Sequence, residues 1–133
     1  MRVFLDTNVL VSAFASRGLS TDLFELVLIE HQLVTGRNVL RELDKALRRK
    51  IKLPARLCAE LVALVSAEAV LIVESAPAAE CRADDDDRRI LGEALAGEAS
   101  AFVTGDAVLV ALRSIGGMSI VTPRQMWELV RSP

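Results

Sequence analysis

The sequence predicts an α/β fold, a three-layer sandwich in which helices flank a mostly parallel, roughly five-stranded sheet. Three observations carry that expectation. Short apolar, β-prone runs alternate along the chain with longer stretches of helical periodicity. The short runs are continuously apolar rather than alternating, the pattern of strands buried on both faces. The chain has 133 residues, the size of one domain around one core, so a single domain is expected over residues 1–133.

Taken in order, the strands are expected at Arg2–Leu5, Gln32–Thr35, Ala69–Val73 and Ala101–Thr104, with a weaker fifth at Met118–Val121. Val9–Ala15 reads as a helix. Ser20-Thr21-Asp22 reads as the cap of another that runs to about Glu30, with Leu23, Leu26 and Val27 at helical spacing. Arg37–Lys50 places Val39, Leu40, Leu43 and Leu47 on one apolar stripe. Pro54 stands where a first helical turn tolerates proline, ahead of Leu57, Leu61, Leu64 and Val65. Asp86–Ala96 is a further helix closed by Gly97, and Ala107–Arg113 a short one. Thr122-Pro123 opens the last, with Met126, Trp127 and Val130 inward. Gly116-Gly117 is a turn before the last strand, and Ser75–Ala79 is a loop rather than a domain boundary.

Apolar residues make up 52% and charged residues 26% of the chain, which excludes a disordered or fibrous protein. Mean hydropathy is high at +0.37. The longest unbroken apolar run is nevertheless only Ala107–Leu112, far short of the roughly 20 residues that span a membrane. Asp6 interrupts the apolar N-terminus, so no signal peptide is expected. Cys58 and Cys81 are too few for a disulfide framework and fit a reducing compartment; a cytoplasmic location without membrane contact is the expectation. The net charge of −2 conceals two opposed segments. Arg37–Arg56 holds eight basic residues against two acids, and Glu74–Asp87 holds six acids against Arg82 alone. Two solvated faces would account for this, and so would an anion-attracting groove beside a cation-holding pocket.

In an open parallel sheet, functional groups gather beyond the carboxyl ends of the strands. Asp6 ends the first strand there, and Asp106 follows the fourth in Thr104-Gly105-Asp106. Asp84–Asp87 enters the helix that precedes that fourth strand. Asp87 lies three and four residues before Ile90 and Leu91, so it shares their inward face; Asp86 and Asp84 are weaker candidates in the same run. Glu42 falls about 60° outside its helix's apolar stripe, close enough to reach the sheet edge from the flank. Singly, these acids have ordinary explanations as caps, dipole partners or solvated side chains. Jointly they do not. Two carboxylates at roughly 5 Å repel by about 3 kcal/mol at an effective dielectric near 20, so four that converge must take up a cation or protons. An oxygen-only ligand set suits Mg²⁺ or Mn²⁺. Zinc is disfavoured, since His31 is the lone histidine and the cysteines form no ligand pair.

No Ser/His/Asp or Cys/His arrangement competes. His31 reads as a helix-end residue and both cysteines as structural, and no glycine-rich loop could cradle phosphate. A carboxylate-held divalent ion neutralises phosphate oxygens and lowers the pKa of bound water. With a basic helix beside it, the layout is that of a metal-dependent nuclease. Arg41, Lys45 and Arg49 are the candidate contacts to a phosphodiester backbone.

These motifs also carry a family likeness. Asp6-Thr7-Asn8-Val9-Leu10 resembles the opening motif of the PIN-domain ribonucleases, and Val39-Leu40-Arg41-Glu42-Leu43 is similar to that family's glutamate-bearing helix. Asp84–Leu91, followed by Ala94-Leu95-Ala96-Gly97, resembles the third acidic motif, and Phe102-Val103-Thr104-Gly105-Asp106 the fourth. The likeness covers nearly the whole chain and is greatest to the toxins of toxin–antitoxin systems, the VapC type. It implies Asp6, Glu42, Asp87 and Asp106 as catalytic Mg²⁺ or Mn²⁺ ligands, with Asp86 as a further ligand or support. Asn8, Thr104 and Asp84 are implied as supporting polar groups, RNA as substrate, and an antitoxin protein and a second copy of the chain as partners. The chain departs from that branch at Asp85, where a proline is common. Two other classes stay open on sequence: a PIN-like interaction module without activity, and a phosphatase or phospho-acceptor domain built on the strand-end Asp6.

Overall fold

The computed structural model describes residues 1–131. Its elements follow one another as β1 (Arg2–Leu5), α1 (Thr7–Ala15), α2 (Leu19–Glu30), β2 (Gln32–Gly36), α3 (Arg37–Arg49), α4 (Ala55–Glu68) and β3 (Leu71–Val73). Then come α5 (Asp85–Ala96), β4 (Ala101–Val103), α6 (Ala107–Val110), β5 (Ser114–Ile115), β6 (Met118–Val121) and α7 (Pro123–Arg131). The sheet has six strands in the order β3-β2-β1-β4-β6-β5, flanked by helices. All pairings are parallel except β5 with β6.

The apolar runs form strands because both of their faces are covered. Val3, Phe4, Leu5, Ala101, Phe102 and Val103 are all buried. Phe4 and Phe102, register partners on the two central strands, stack with ring centroids 5.5 Å apart. Phe14 of α1 meets Phe24 of α2 edge to face, which closes the first helical pair over the core. The chain runs from β1 out to β3 on one side and then returns to β4 on the other. The order therefore reverses between β1 and β4, and the carboxyl ends of these two strands flank the crevice where such sheets place their ligands.

Several elements differ from the sequence expectation. The sheet gains β5, a two-residue antiparallel partner of β6 joined through Gly116 and Gly117, which have φ of 54° and 83°. Such a turn needs positive φ at both central residues, and glycine supplies it without steric cost. The third strand starts at Leu71 rather than Ala69, because Ala69 caps α4 and its N–H bonds the Val65 carbonyl. The second helix starts at Leu19, with Gly18 as N-cap and no side-chain cap. Thr21 does not cap it: its hydroxyl lies 2.9 Å from the Ala13 carbonyl and 2.7 Å from that of Ser16, pinning the α1–α2 turn instead. Pro54 is the N-cap of α4 rather than a first-turn residue. The helix after Asp106 stops at Val110, short of the expected Arg113. Among the described residues, no helix is long and apolar enough to cross a membrane.

Candidate functional site

Asp6 is buried, 6% exposed, at the carboxyl end of β1. Its backbone N–H extends the ladder to the Val103 carbonyl at 2.9 Å, which seats it beside the end of β4. Both carboxylate oxygens are held: Oδ1 accepts from the Thr7 N–H at 2.8 Å, capping α1, and Oδ2 accepts from the Thr104 hydroxyl at 2.8 Å. The same Thr104 oxygen accepts the Asp106 N–H at 3.0 Å, so one threonine links the two strand-end aspartates. Asp106 in turn caps α6 through the Val108 N–H at 2.9 Å. Asn8 steadies the loop by accepting from the Gly105 N–H at 3.3 Å. Burial pushes the Asp6 carboxyl above its ordinary range; the two hydrogen bonds pull it down and the Asp106 charge pushes it up again.

Glu42 arrives from α3, which leaves β2 without an intervening loop. Its Oε2 accepts from the Thr7 hydroxyl at 3.1 Å, so the residue after Asp6 orients a second acid from another element. Half-burial raises the Glu42 carboxyl, and the charges of Asp6, Asp86 and Asp84 add to that. The four consecutive aspartates divide by role. Asp84 is the N-cap of α5 and accepts from the Asp87 N–H at 2.8 Å. Asp85 pairs with Arg88 at 3.3 Å and Asp86 with Arg89 at 2.7 Å, both on the outside of the helix. Asp87 alone of the run faces the crevice. Its carboxyl is pushed up to about 6, first by loss of solvent and then by Asp84, Asp6, Asp106 and Glu42.

Asp6, Glu42, Asp87 and Asp106 line one cavity of about 450 Å³, together with Thr7, Asn8 and the cationic Lys45, Arg49 and Lys50. None of the four acids belongs to an ion pair among the described residues. An adjoining cavity of about 230 Å³ is lined by Asn38, Arg41, Glu42, Lys45, Asp86 and Arg89. Glu42 and Lys45 thus face both. Asp86, expected as a further ligand, is in the neighbouring cavity and is held by Arg89, not grouped with the four. The acids share a cavity, but among the described residues no three acidic, histidine or cysteine side chains stand grouped to hold an ion. The donor chemistry nonetheless fits a hard divalent cation: four carboxylates share one partly dry space, their mutual charge helps to raise Asp6, Glu42 and Asp87, and among the described residues no arginine or lysine pairs with any of them.

Compared with known proteins, the chain matches the family model of the PIN domain over residues 2–107, a span that contains all four acids. The chain belongs to the PIN domain family. PIN domains are generally nucleases. Among solved structures, this PIN domain is similar to one described as VapBC2 from Rickettsia felis bound to a DNA fragment from their promoter. The TM-score is 0.66 at 15% identity, covering 92% of this chain and 98% of that one. Nothing among curated proteins matches the chain.

Sequence reasoning left out two side chains that line the PIN domain's cavity, Thr7 and Lys50, and one buried acid outside it, Glu93. Thr7 holds both Asp6 and Glu42, and its place directly after a strand-end aspartate was the available signal. Lys50 joins Lys45 and Arg49 on the cavity wall, one residue beyond the helix. Glu93 is 1% exposed on α5, and it lies three residues after Ile90, a spacing that already marks an inward face.

Proposed function

We propose that this PIN domain is a Mg²⁺- or Mn²⁺-dependent endoribonuclease, the toxin of a toxin–antitoxin pair, acting in the cytoplasm as a homodimer and held in check by a small antitoxin protein. The observation that carries the nuclease reading is the 450 Å³ cavity where four unpaired carboxylates meet a cationic wall. A cavity so charged suits a divalent cation, with a phosphate drawn to the cationic wall beside it. Asp6, Glu42, Asp87 and Asp106 would hold that ion. When bound, it supplies charge neutralisation at the phosphate and a lowered pKa for water.

The chain's own residues do the rest. Thr104 and Thr7 fix the rotamers of Asp6 and Glu42, so that the acids are oriented before any ligand arrives. Lys45, Arg49 and Lys50 draw the phosphodiester backbone along the cavity wall, and Arg41 extends the track into the adjoining cavity. Asp87 and Asp106 face the same space from opposite elements and orient the attacking water. Bases of an unpaired strand remain free to be read at the rim.

The test is cleavage of unstructured RNA by protein stripped with chelator, then given Mn²⁺. Wild type is expected to cleave only when metal is restored, and Asp6→Asn to lose that cleavage. Wild-type rates in Asp6→Asn would end this mechanism. An absence of turnover on any RNA, with a small partner protein still co-purifying, would leave an interaction module instead.

A further inference from the structure

Outside the cavity, the least ordinary group in the molecule is the carboxylate of Glu93. It is almost wholly buried on α5, yet among the described residues it makes no ion pair. Its Oε2 accepts from the Asn38 backbone N–H at 2.9 Å and from Asn38 Nδ2 at 3.2 Å. Oε1 is buried without a partner. The residues that receive this carboxylate are the first turn of α3.

That turn has no cap of its own. Its N-cap is Gly36, which carries no side chain to accept the exposed amides. Glu93 takes over that task from a different helix, and the fit is tight: a Cβ at position 36 would collide with the Glu93 carboxyl group. The missing side chain of Gly36 is therefore the space that lets Glu93 in. A negative group at this end also suits the helix dipole.

The consequence lies one turn further on. Asn38, Arg41, Glu42 and Lys45 share one face of α3 and line the same adjoining cavity. Asn38 also accepts from Arg41 Nη1 at 3.3 Å. Asp87 lies on α5, the helix that bears Glu93. Among the described residues, the only side-chain hydrogen bonds between α3 and α5 are those of Glu93. We propose that Glu93 is a positioning residue, a remote N-cap that ties α3 to α5 and so sets the separation of Glu42 from Asp87. The inference rests on the proposed metal-dependent function.

Two substitutions separate its parts. Glu93→Gln keeps an acceptor oxygen for the cap, whereas Glu93→Ala removes it. Gly36 is extended, with φ −146° and ψ 163°, so Gly36→Ser combined with Glu93→Ala supplies a local cap while the tie between helices stays cut. The measurements are amide hydrogen exchange at Asn38, Mn²⁺ affinity by calorimetry, and RNA cleavage. In Glu93→Ala, exchange is expected to quicken and the Mn²⁺ Kd to rise by about tenfold or more, the usual effect of losing a group that orients ligands. Glu93→Gln should stay within about threefold of wild type on both measures, on the same scale. The double variant should recover amide protection and folding but keep the weakened Mn²⁺ affinity.

Unchanged affinity in Glu93→Ala, or affinity restored in the double variant, overturns the proposal, the latter reducing Glu93 to a cap. A wild-type protein that takes up no Mn²⁺ overturns it together with the proposed function. If wild type binds Mn²⁺ in a Glu93-dependent manner but cleaves no RNA, the positioning role stands and the nuclease reading falls alone.

Discussion

The first turn of α5 carries acids in two settings. Asp85 and Asp86 lie on its outer side, exposed, each matched by an arginine three residues on. Asp87 is the next residue and has no arginine; its neighbours are Asp84, Asp6, Asp106 and Glu42, and its carboxyl is raised to about 6. The outer acids are each offset by an arginine and screened by water, so such pairs contribute at most about 1 kcal/mol, although Asp86 still adds to the charge around Glu42. The inner acid adds to charge already present and is partly cut off from solvent. Identical side chains on one turn thus differ in purpose: the outer ones keep the helix solvated, while the inner one contributes to a potential that a cation or bound protons relieve.

Exchanging the two kinds of acid breaks the comparison most directly. Asp87→Asn is expected to lower Mn²⁺-dependent RNA cleavage by about a hundredfold or more, since even groups that only orient metal ligands are typically worth 10–100-fold. Asp86→Asn should change it by less than about threefold, because its loss frees Arg89 at the surface and disturbs an exposed pair of small value. Equal losses from the two substitutions would mean that Asp86 turns into the cavity in solution and that the inside-outside division is false.

A smaller effect is expected from Thr104→Val, which keeps the shape but removes the hydroxyl. Asp6 Oδ2 then loses its donor and the Asp106 N–H its acceptor, in a place where Thr104 is fully buried. The stability cost should be about 1–3 kcal/mol, read as a lower denaturant midpoint. Cleavage should fall by about tenfold through the freed rotamer of Asp6. A loss of stability without any loss of cleavage would show that Thr104 serves the fold and not the site.

How much of this was legible beforehand depends on whether a residue's role is local. The parallel strands could be read because continuous apolar runs such as Val3-Phe4-Leu5 have few other uses. Asp87 was separable from Asp84, Asp85 and Asp86 because Ile90 and Leu91 fix which face is inward. β5 left no such trace: Ser114–Ile115 is two residues long and owes its pairing to the Gly116-Gly117 turn. Thr21 looked like a cap because threonine often is one, but the Gly18 bend brings its hydroxyl to the end of the previous helix instead. Glu93 was hidden for a similar reason. Its partners lie some fifty-five residues away, and the only local hint was a helix opening on a glycine.

The smallest expected effect is thermodynamic, and its sign follows from the raised carboxyls. A group whose pKa is higher folded than unfolded binds more protons in the native state, so its contribution is whole at low pH and disappears as pH rises through the folded value. For Asp87 that window runs from its ordinary 3.8 to about 6, and burial moves Asp6, Glu42 and Glu93 in the same direction. In chelator, the Tm should therefore decline between about pH 4 and about pH 6. Glu74, held low by Arg37, works the opposite way and blunts the slope, so the comparison with a variant is what isolates the cavity. Asp87→Asn should flatten the decline, while Asp85→Asn, on the exposed side of the same turn, should leave it intact. Mg²⁺ should raise Tm more at pH 7 than at pH 5, because a cation competes with the protons that already relieve the repulsion at the lower pH. A Mg²⁺ increment that is the same at both pH values would mean that the ion binds away from these acids, on the charge of the outer surface.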